Sequence, residues 1–434
     1  MSNKSLSYES LKTVLKHIKP NKRVQLASQI PSIRKVERIV PIHYNQLIFN
    51  DWSTTVDDTK YQLGVYQEYH NEEETPLSVQ KHNSEGGYQQ DIDEDGQFKR
   101  FDKAVPSEGD LVLWENDASE DETVWNDDWE KETKQDLEEM RASYPNPKGL
   151  IPYMMDKRKV ALELYHRKKN GLPLPFTQHI RLTITSPEGV RIERINYEGK
   201  KLHEASKYLN SVLFGNRKQL MFTNFFAIPA YDAKLYLPAG FKIRVNHLQL
   251  NVEIMDKLKE SGIISESSFP LNKLTMIANT DQAPLLLEHN FSKNAETLVI
   301  ANTPFHGESW ATVLENFENK HIIVKHSRRN HNDTDYLLII RIWLQDGRPL
   351  GTKFSFGVMQ ISLVFTFLGL VRREFGATEI ADRTLSIDMN NQTTKLIIYH
   401  EQAEPEIGDK LMLFVCGYEA KWFVRMKVVA ASEV

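Results

Sequence analysis

Six consecutive residues carry the pattern closest to a metal site in this chain, Asp91-Ile92-Asp93-Glu94-Asp95-Gly96. Three alternating carboxylates and a glycine open a calcium-binding loop, in which oxygen ligands surround a hard cation. The twelfth position of such a loop is a bidentate glutamate, but here it is Asp102, and Gly86-Gly87 stand where an entering helix would run. Because Asp and Gly are also the residues of a tight turn, we interpret this stretch as a hairpin turn and expect no metal ligands.

Catalytic motifs are equally sparse. The stretch Gly347-Arg348-Pro349-Leu350-Gly351-Thr352 lacks the Gly-Lys-Ser/Thr ending of a phosphate loop and predicts a turn. His326 and His331 are spaced too widely for one helical metal face, which favours a solvated basic loop. Cys416 lies in an apolar run typical of a buried strand. We therefore expect no catalytic residues, no cofactor and no enzymatic activity.

Composition narrows the function class. The chain has 434 residues, a formal charge of −5 and a pI near 6.3, which argues against a nucleic-acid-binding protein because such a protein needs a basic face. The single cysteine excludes disulfides within the chain and predicts a reducing compartment. Since the first residues also lack an apolar signal segment, we expect the cytoplasm or the nucleus.

One segment, from Phe354 to Val371, has no formally charged residue and is long enough to span a bilayer. Polar residues such as Gln360 lower its hydrophobicity, and its apolar residues alternate at strand period from Ile361 to Phe367. We predict a pair of buried strands and no membrane segment.

The elements that would position a binding site begin with residues 1–40, which predict three short helices. Leu11, Val14, Leu15 and Ile18 recur at helical spacing in the first helix, and Ser7 is its expected N-cap. Pro20 and Pro31 start the second and third helices. Three such helices bury little apolar surface alone. They are therefore either a docking element for a partner's groove or an ordinary cap on the next domain.

The middle of the chain predicts two further parts. Residues 41–114 contain short strands at Leu47-Ile48-Phe49, Tyr61 to Tyr66 and Leu111 to Trp114, which indicate a small β-rich domain. Residues 115–150 are rich in acidic residues with Trp125 and Trp129 between them, which predicts an acidic linker or a helix.

Residues 151–380 contain a repeated strand pattern. Pairs of apolar residues recur at Leu248/Leu250, Leu274/Met276, Leu298/Ile300 and Ile322/Val324, with spacings of 26, 24 and 24 residues. These spacings lie inside the range of leucine-rich repeats, and Leu271, Leu274, Met276 and Asn279 match that pattern most closely. Helical patterns lie between the strands, at Ile254 to Ile263, Leu285 to Phe291, Trp310 to Phe317 and Tyr336 to Leu344. We favour a degenerate repeat over a plain α/β domain with crossovers of equal length.

Residues 381–434 change to a different pattern. Leu385 to Ile387, Lys395 to His400, Leu411 to Cys416 and Trp422 to Val429 predict four strands joined by turns. An antiparallel cap of this kind would protect the last apolar face of a solenoid. The predicted fold class is therefore mixed α+β or α/β.

The chain also resembles a nematode-expanded family of uncharacterised proteins that carry a domain of unknown function and an F-box-like start. The resemblance rests on Leu6 to Ile18 with Asn21-Lys22-Arg23 and Pro31 to Arg34, on Gly86-Gly87 with Asp91, Asp93 and Gly96, on Lys207 to Asn210 with Leu213-Phe214-Gly215, on Gly347 to Thr352, and on Trp422, Arg425, Met426 and Val428. F-box proteins bind the Skp1 adaptor of a cullin ubiquitin ligase with a trihelical module and hold a substrate with a second domain. The resemblance implies that Leu11, Leu15 and Ile18 contact such an adaptor. Ser7 and Ile33 stand near the places where an F-box has its leading proline and later tryptophan.

Together these observations predict a non-enzymatic protein-binding adaptor. The more specific prediction is that it is the substrate-recognition subunit of a cullin-type ubiquitin ligase. Its partners would be a Skp1-type adaptor and an unidentified protein substrate. The alternatives are a stand-alone recognition module, in which the first helices pack internally, and an enzyme with an unfamiliar site.

Overall fold

The computed structural model describes residues 7–50, 52–93, 95–97, 105–113, 125–195, 201–228, 234–278, 289–302, 314, 316–325, 333–404 and 420–433. The chain divides into two compact units, each made of several segments. The first unit is Met1–Pro41, Phe49–Gln219 and Asp232–Phe241, and the second is Ile42–Ile48, Leu220–Tyr231 and Lys242–Val434.

The described residues form a mixture of helices and strands, numbered here along the chain. The helices are α1 (Tyr8–His17), α2 (Pro20–Gln29), α3 (Pro31–Glu37), α4 (Leu77–Ser84), α5 (Asp127–Ser143), α6 (Ile151–Lys169), α7 (Leu202–Phe214), α8 (Met255–Ser261), α9 (Asn290–Lys293), α10 (Asp333–Asp346) and α11 (Ile361–Phe375). The strands are β1 (His43–Asn50), β2 (Ser53–Val56), β3 (Thr59–Tyr69), β4 (Leu111–Val112), β5 (Phe176–Ser186), β6 (Gly189–Ile195), β7 (Met221–Ala227), β8 (Lys234–Leu235), β9 (Ile243–Asn251), β10 (Leu271–Ala278), β11 (Ala295–Asn302), β12 (His321–Lys325), β13 (Lys353–Val358), β14 (Thr378–Ala381), β15 (Thr384–Asp388), β16 (Thr394–Gln402) and β17 (Trp422–Ala430).

The three predicted helices at the start of the chain are present in the first unit. The Ser7 hydroxyl caps α1 by accepting a hydrogen bond from the Ser10 backbone N–H at 3.2 Å. Pro20 and Pro31 occupy the first positions of α2 and α3, where the missing N–H has no cost. Leu15 packs with Val36 and Val40 in a small cluster that joins α1 to the end of α3.

The acidic part of the first unit contains a long helix. Helix α5 begins at the Asn126 N-cap and places acidic residues in its first turn, which complements the helix dipole. Its Leu137 packs with Met155 and Leu162 of α6. Of the two predictions for residues 115–150, a linker or a helix, the helix is therefore correct from Asp127 to Ser143.

The strands of the first unit are antiparallel. They follow the order β2-β3-β5-β6, and β4 pairs with β8. The strand predicted at Tyr61 to Tyr66 is confirmed, and the strand predicted from Leu111 to Trp114 is confirmed at Leu111-Val112. The strand predicted at Leu47 to Phe49 is confirmed as part of β1, most of which belongs to the second unit.

The second unit contains a mixed sheet with the order β14-β15-β16-β17-β13-β12-β11-β10-β9-β7-β1. The neighbouring strands of the sheet pair in parallel in the order β13-β12-β11-β10-β9-β7-β1, and each strand from β10 to β13 lies beside the previous one in the chain. The apolar pairs predicted as strands are confirmed and in register, since Leu248, Leu274, Leu298, Ile322 and Phe354 lie opposite one another on successive strands.

The helices of the second unit cover the face that carries these apolar residues. The ring of Tyr336 on α10 stacks on Phe356 of β13 with centroids 3.6 Å apart, and Phe367 of α11 meets Phe356 edge to face. Helix α10 contains the predicted helix Tyr336 to Leu344. Helix α8 is shorter than predicted, because Gly262 ends it in the left-handed conformation. Most of the helices predicted at Leu285 to Phe291 and Trp310 to Phe317, together with Asn279, lie outside the described residues.

The predicted strand pair between Phe354 and Val371 is wrong in its second half. Phe354 lies in β13, but Ile361–Phe375 is the helix α11. Its buried residues are Val364, Phe367, Leu368 and Val371, which recur at helical spacing. This helical pattern determines the structure, and the alternation of apolar residues that predicted a strand does not. No helix in the described part of the chain is long and apolar enough to cross a membrane.

The C-terminal strands β14 to β17 pair antiparallel, as the sequence predicts for β15, β16 and β17. Strand β17 also pairs with β13 and so joins these strands to the parallel part of the sheet. The strand predicted from Leu411 to Cys416 lies outside the described residues.

Candidate functional site

Of the three residues predicted to dock a partner, Leu11 and Leu15 lie on α1 and Ile18 is the C-cap residue that follows it, and the three differ in exposure. Leu15 is 1% exposed and belongs to the cluster with Val36 and Val40. Leu11 and Ile18 are half-buried at the edge of that cluster. The contact surface that α1 offers therefore includes Leu11 and Ile18, while Leu15 holds the helix in place.

Two further apolar side chains extend this surface. Tyr8 is 49% exposed and Val14 is 42% exposed. Tyr8, Leu11 and Val14 recur every three residues along α1 and share one face of the helix, and Ile18 follows at its C-cap. These four side chains are called here the α1 stripe. Beside it the Glu9 carboxylate accepts a 3.0 Å hydrogen bond from the Lys12 ammonium, which raises the pKa of Lys12.

A buried ion triad fixes the helices that carry the stripe. The carboxylate of Glu37 at the end of α3 accepts a 2.8 Å hydrogen bond from Arg217 and forms an ion pair with Arg23 of α2 at 3.3 Å. Each of the three side chains is 5% exposed or less. Arg23 also donates to the Val40 carbonyl at 2.9 Å, so the triad holds α2 against the end of α3.

The carboxylates of the Asp91–Gly96 stretch serve three separate structural roles. Asp91 accepts a 2.7 Å hydrogen bond from the Leu202 N–H at the start of α7. Asp93 accepts from the backbone N–H groups of Asp95 and Gln97 and so closes a tight turn, and Asp95 pairs with Lys168 at 2.7 Å. No group of three His, Cys, Asp or Glu side chains able to hold a metal occurs among the described residues.

The stretch Gly347 to Thr352 forms the turn before β13 that was predicted. The Gly351 N–H donates to the Val428 carbonyl, and the Thr352 N–H donates to the Pro349 carbonyl, so these amides are already engaged within the protein. His326, His331 and Cys416 lie outside the described residues.

A second candidate surface lies on the face of the sheet opposite the covered apolar residues. Because alternate residues of a strand share a face, one row of register-matched positions crosses six strands there. This row, called here the cationic row, consists of His247, Lys273, Thr297, His321, Lys353 and Lys427. Lys353 is exposed and the other five side chains are half-buried.

The imidazoles of the row repeat one arrangement. His247 Nε2 lies 2.8 Å from the Thr275 hydroxyl, two residues beyond the lysine that faces it in the register. His321 Nε2 lies 3.0 Å from the Ser355 hydroxyl, and Ser355 is likewise two residues beyond Lys353, the lysine that faces His321 in the register. Each imidazole is thus oriented by a hydroxyl and lies beside an ammonium group.

The rest of this face is partly covered. Val299 and Ile323, one step along the strands from the row, are buried against Phe423, and Ala403 and Ala420 pack on them. Arg425 donates to the Ser355 hydroxyl at 2.9 Å and pairs with Glu401. The cationic row is therefore partly accessible to solvent, whereas the neighbouring residues Val299 and Ile323 are covered by the chain itself.

The cationic row was not predicted from the sequence. The lysines occur in two similar tripeptides, Lys273-Leu274-Thr275 and Lys353-Phe354-Ser355, each at a predicted strand. This similarity was the available signal, but its meaning depends on the register of the strands.

Comparison with known families gives one match. Residues 201–360 match the model of a domain of unknown function, DUF3557. The match covers α7 and the strands from β7 to β13, and it includes five of the six positions of the cationic row, with Lys427 outside it. No curated protein and no solved structure matches the chain.

Proposed function

We propose that the chain is a non-enzymatic protein-binding adaptor, with α1 docking into a groove of a Skp1-type adaptor and the parallel strands holding a protein target. The observation that carries this function is the α1 stripe. Two of its four side chains, Tyr8 and Val14, leave more than two fifths of their surface in water. Side chains at such spacing on one helix face are the usual anchors of helix-in-groove recognition.

Burial of this stripe would supply part of the energy of a docking contact. Full burial of a large apolar side chain contributes about 1.5–3 kcal/mol. Tyr8 and Val14 would each supply part of that amount, and Leu11 and Ile18 would add their remaining exposed surface. The proposed assignment to a cullin-type ubiquitin ligase, in the cytoplasm or nucleus, depends on this contact.

The register of β9 to β13 supports the finer proposal of a degenerate leucine-rich repeat. Apolar residues spaced 24 or 26 residues apart occupy equivalent positions on successive parallel strands, and the helices pack on their side. An arrangement of this kind leaves the other strand face available for a partner.

A stand-alone recognition module without a ligase is the second candidate. The burial of Leu15 against Val36 and Val40 favours it, because the most buried of the three predicted docking residues serves the chain's own packing. The two candidates differ in whether the α1 stripe binds anything.

Calorimetric titration of the full chain with a purified Skp1-type adaptor separates the two candidates. We expect binding by the wild type and a loss of at least about tenfold in affinity for Val14→Asp, because a carboxylate in an apolar groove is left without a partner. Val212→Asp on α7 is the matched control, since Val212 is 41% exposed and Val14 is 42% exposed. Absence of binding by the wild type would leave the stand-alone module as the function, and equal binding by Val14→Asp would show that the adaptor does not bind the α1 stripe.

A further inference from the structure

The cationic row has a charge opposite to that of the whole chain. The row includes Lys273, Lys353 and Lys427, and none of its six positions carries an acidic side chain. In the next row along the same strands, the charge of Arg425 is already balanced by Glu401. The complete chain carries a formal charge of −5. A positive surface on an acidic protein concentrates anions locally, and that concentration steers association.

Two of these charges are placed against each other. Lys353 of β13 and Lys427 of β17 are directly opposite in the antiparallel register, and His321 is the next position of the row. Like charges directly opposite each other on neighbouring strands destabilise a sheet. An anion seated between the two ammonium groups would remove that repulsion.

We propose that the cationic row binds an extended acidic peptide segment of a partner protein, with the peptide crossing the strands. A carboxylate at Lys353, opposite Lys427, would form the first contact, and a second carboxylate would meet the ammonium of Lys273, whose neighbour in the row is His247. The Thr297 hydroxyl, between these two places, is a donor for the peptide backbone.

The strand spacing sets the distance between the two carboxylates. Lys273 and Lys353 are three strands apart, and neighbouring strands are about 4.8 Å apart, which gives about 14 Å. An extended peptide advances about 3.4 Å per residue, so the two carboxylates lie about four residues apart in its sequence. A peptide with adjacent acidic residues satisfies only one of the two contacts.

Fluorescence anisotropy with a labelled peptide tests this surface. The probe is a peptide of Ser, Thr and Gly with two glutamates about four residues apart, and its control has glutamine at both positions. We expect the full chain to bind the glutamate peptide and to lose affinity about tenfold between low and physiological salt, because exposed charges are screened. The glutamine peptide should bind at least about tenfold more weakly.

Variants of the chain locate the contact. Lys353→Gln and Lys427→Gln should each weaken peptide binding about fivefold, whereas Lys259→Gln on the exposed side of α8 should change it less than about twofold. Since the two lysines repel each other, removal of either should leave the melting temperature unchanged or raise it, which separates lost binding from lost folding.

Equal binding of the glutamine peptide, or unchanged affinity in both lysine variants, would overturn the acidic-peptide surface. Tighter binding of a single-stranded oligonucleotide than of the peptide would also overturn it and would indicate a nucleic-acid surface. Because this surface presupposes the protein-recognition function proposed above, the assay contains no Skp1-type adaptor. Peptide binding can therefore fail while the α1 stripe still binds its adaptor. Conversely, adaptor binding can fail in the calorimetric titration while the peptide still binds.

Discussion

Glu37 is the residue on which the N-terminal helices depend most directly. Its carboxylate is the single acidic member of the triad, and both guanidinium groups that it pairs with, Arg23 and Arg217, are almost fully buried. Breaking a buried ion pair by removing one partner costs about 3–5 kcal/mol, because the remaining charge is left without compensation.

We therefore expect Glu37→Gln to lower the free energy of unfolding by about 3–5 kcal/mol, measured by urea denaturation followed by circular dichroism. Glu9→Gln is the control, since Glu9 forms only an exposed pair with Lys12 on α1, which contributes at most about 1 kcal/mol. Similar stability of the two variants would show that the triad does not hold the helices.

A second prediction at this scale concerns Glu130 of α5. Hydrogen bonds from Lys134 at 2.5 Å and His166 at 2.8 Å lower the pKa of Glu130 from 4.5 to about 2. Because the pKa is lower in the folded than in the unfolded state, the stabilising effect is complete above about pH 4.5 and is lost as the pH falls through 2.

NMR titration of the Glu130 carboxyl carbon should give a midpoint near 2. The difference in melting temperature between the wild type and Glu130→Gln should shrink steadily as the pH falls below about 4.5. A midpoint near 4.5 would mean that these two hydrogen bonds do not persist in solution.

At the scale of elements, helix α11 shows why part of the fold was predictable and part was not. The short parallel strands were predicted correctly, because the apolar pairs from Leu248 to Val324 recur at a regular spacing and each pair lies in a run of strand length. In α11 nearly every residue from Ile361 to Val371 is apolar or small, so the sequence contains a strand period and a helical period at once. Only packing against Phe356 selects the helical one.

The helix can be tested with two phenylalanines two positions apart. Phe367 is fully buried and meets the Phe356 ring, whereas Phe365 is half-buried and lies under the Arg383 guanidinium. We expect Phe367→Ala to cost about 3–5 kcal/mol and Phe365→Ala to cost about 1 kcal/mol, measured by urea denaturation. In a strand the two side chains would share one face, so equal costs would contradict the helix.

The candidate sites were predictable to different degrees. The first helix was found because Leu11, Leu15 and Ile18 share one stripe, but which of them faces Val36 depends on the path of α3. The cationic row was not predictable, since His247, Lys273, Thr297, His321, Lys353 and Lys427 are spread over much of the chain and meet only through strand register. The division into five consecutive domains, with boundaries after residues 40, 114, 150 and 380, stays a prediction.

At the scale of the whole molecule, one chain carries two proposed binding surfaces. The α1 stripe would bind a Skp1-type adaptor, and the cationic row would bind an acidic segment of a target. A protein with both surfaces joins two partners that do not otherwise meet, which is the function of a substrate-recognition subunit.

Retention of the Skp1-type adaptor on an immobilised acidic peptide tests this claim most directly. We predict that the adaptor is retained only when the full chain is present, that Val14→Asp abolishes retention of the adaptor but not of the chain, and that Lys353→Gln lowers retention of both. Retention of the wild-type chain without the adaptor would contradict the joining function.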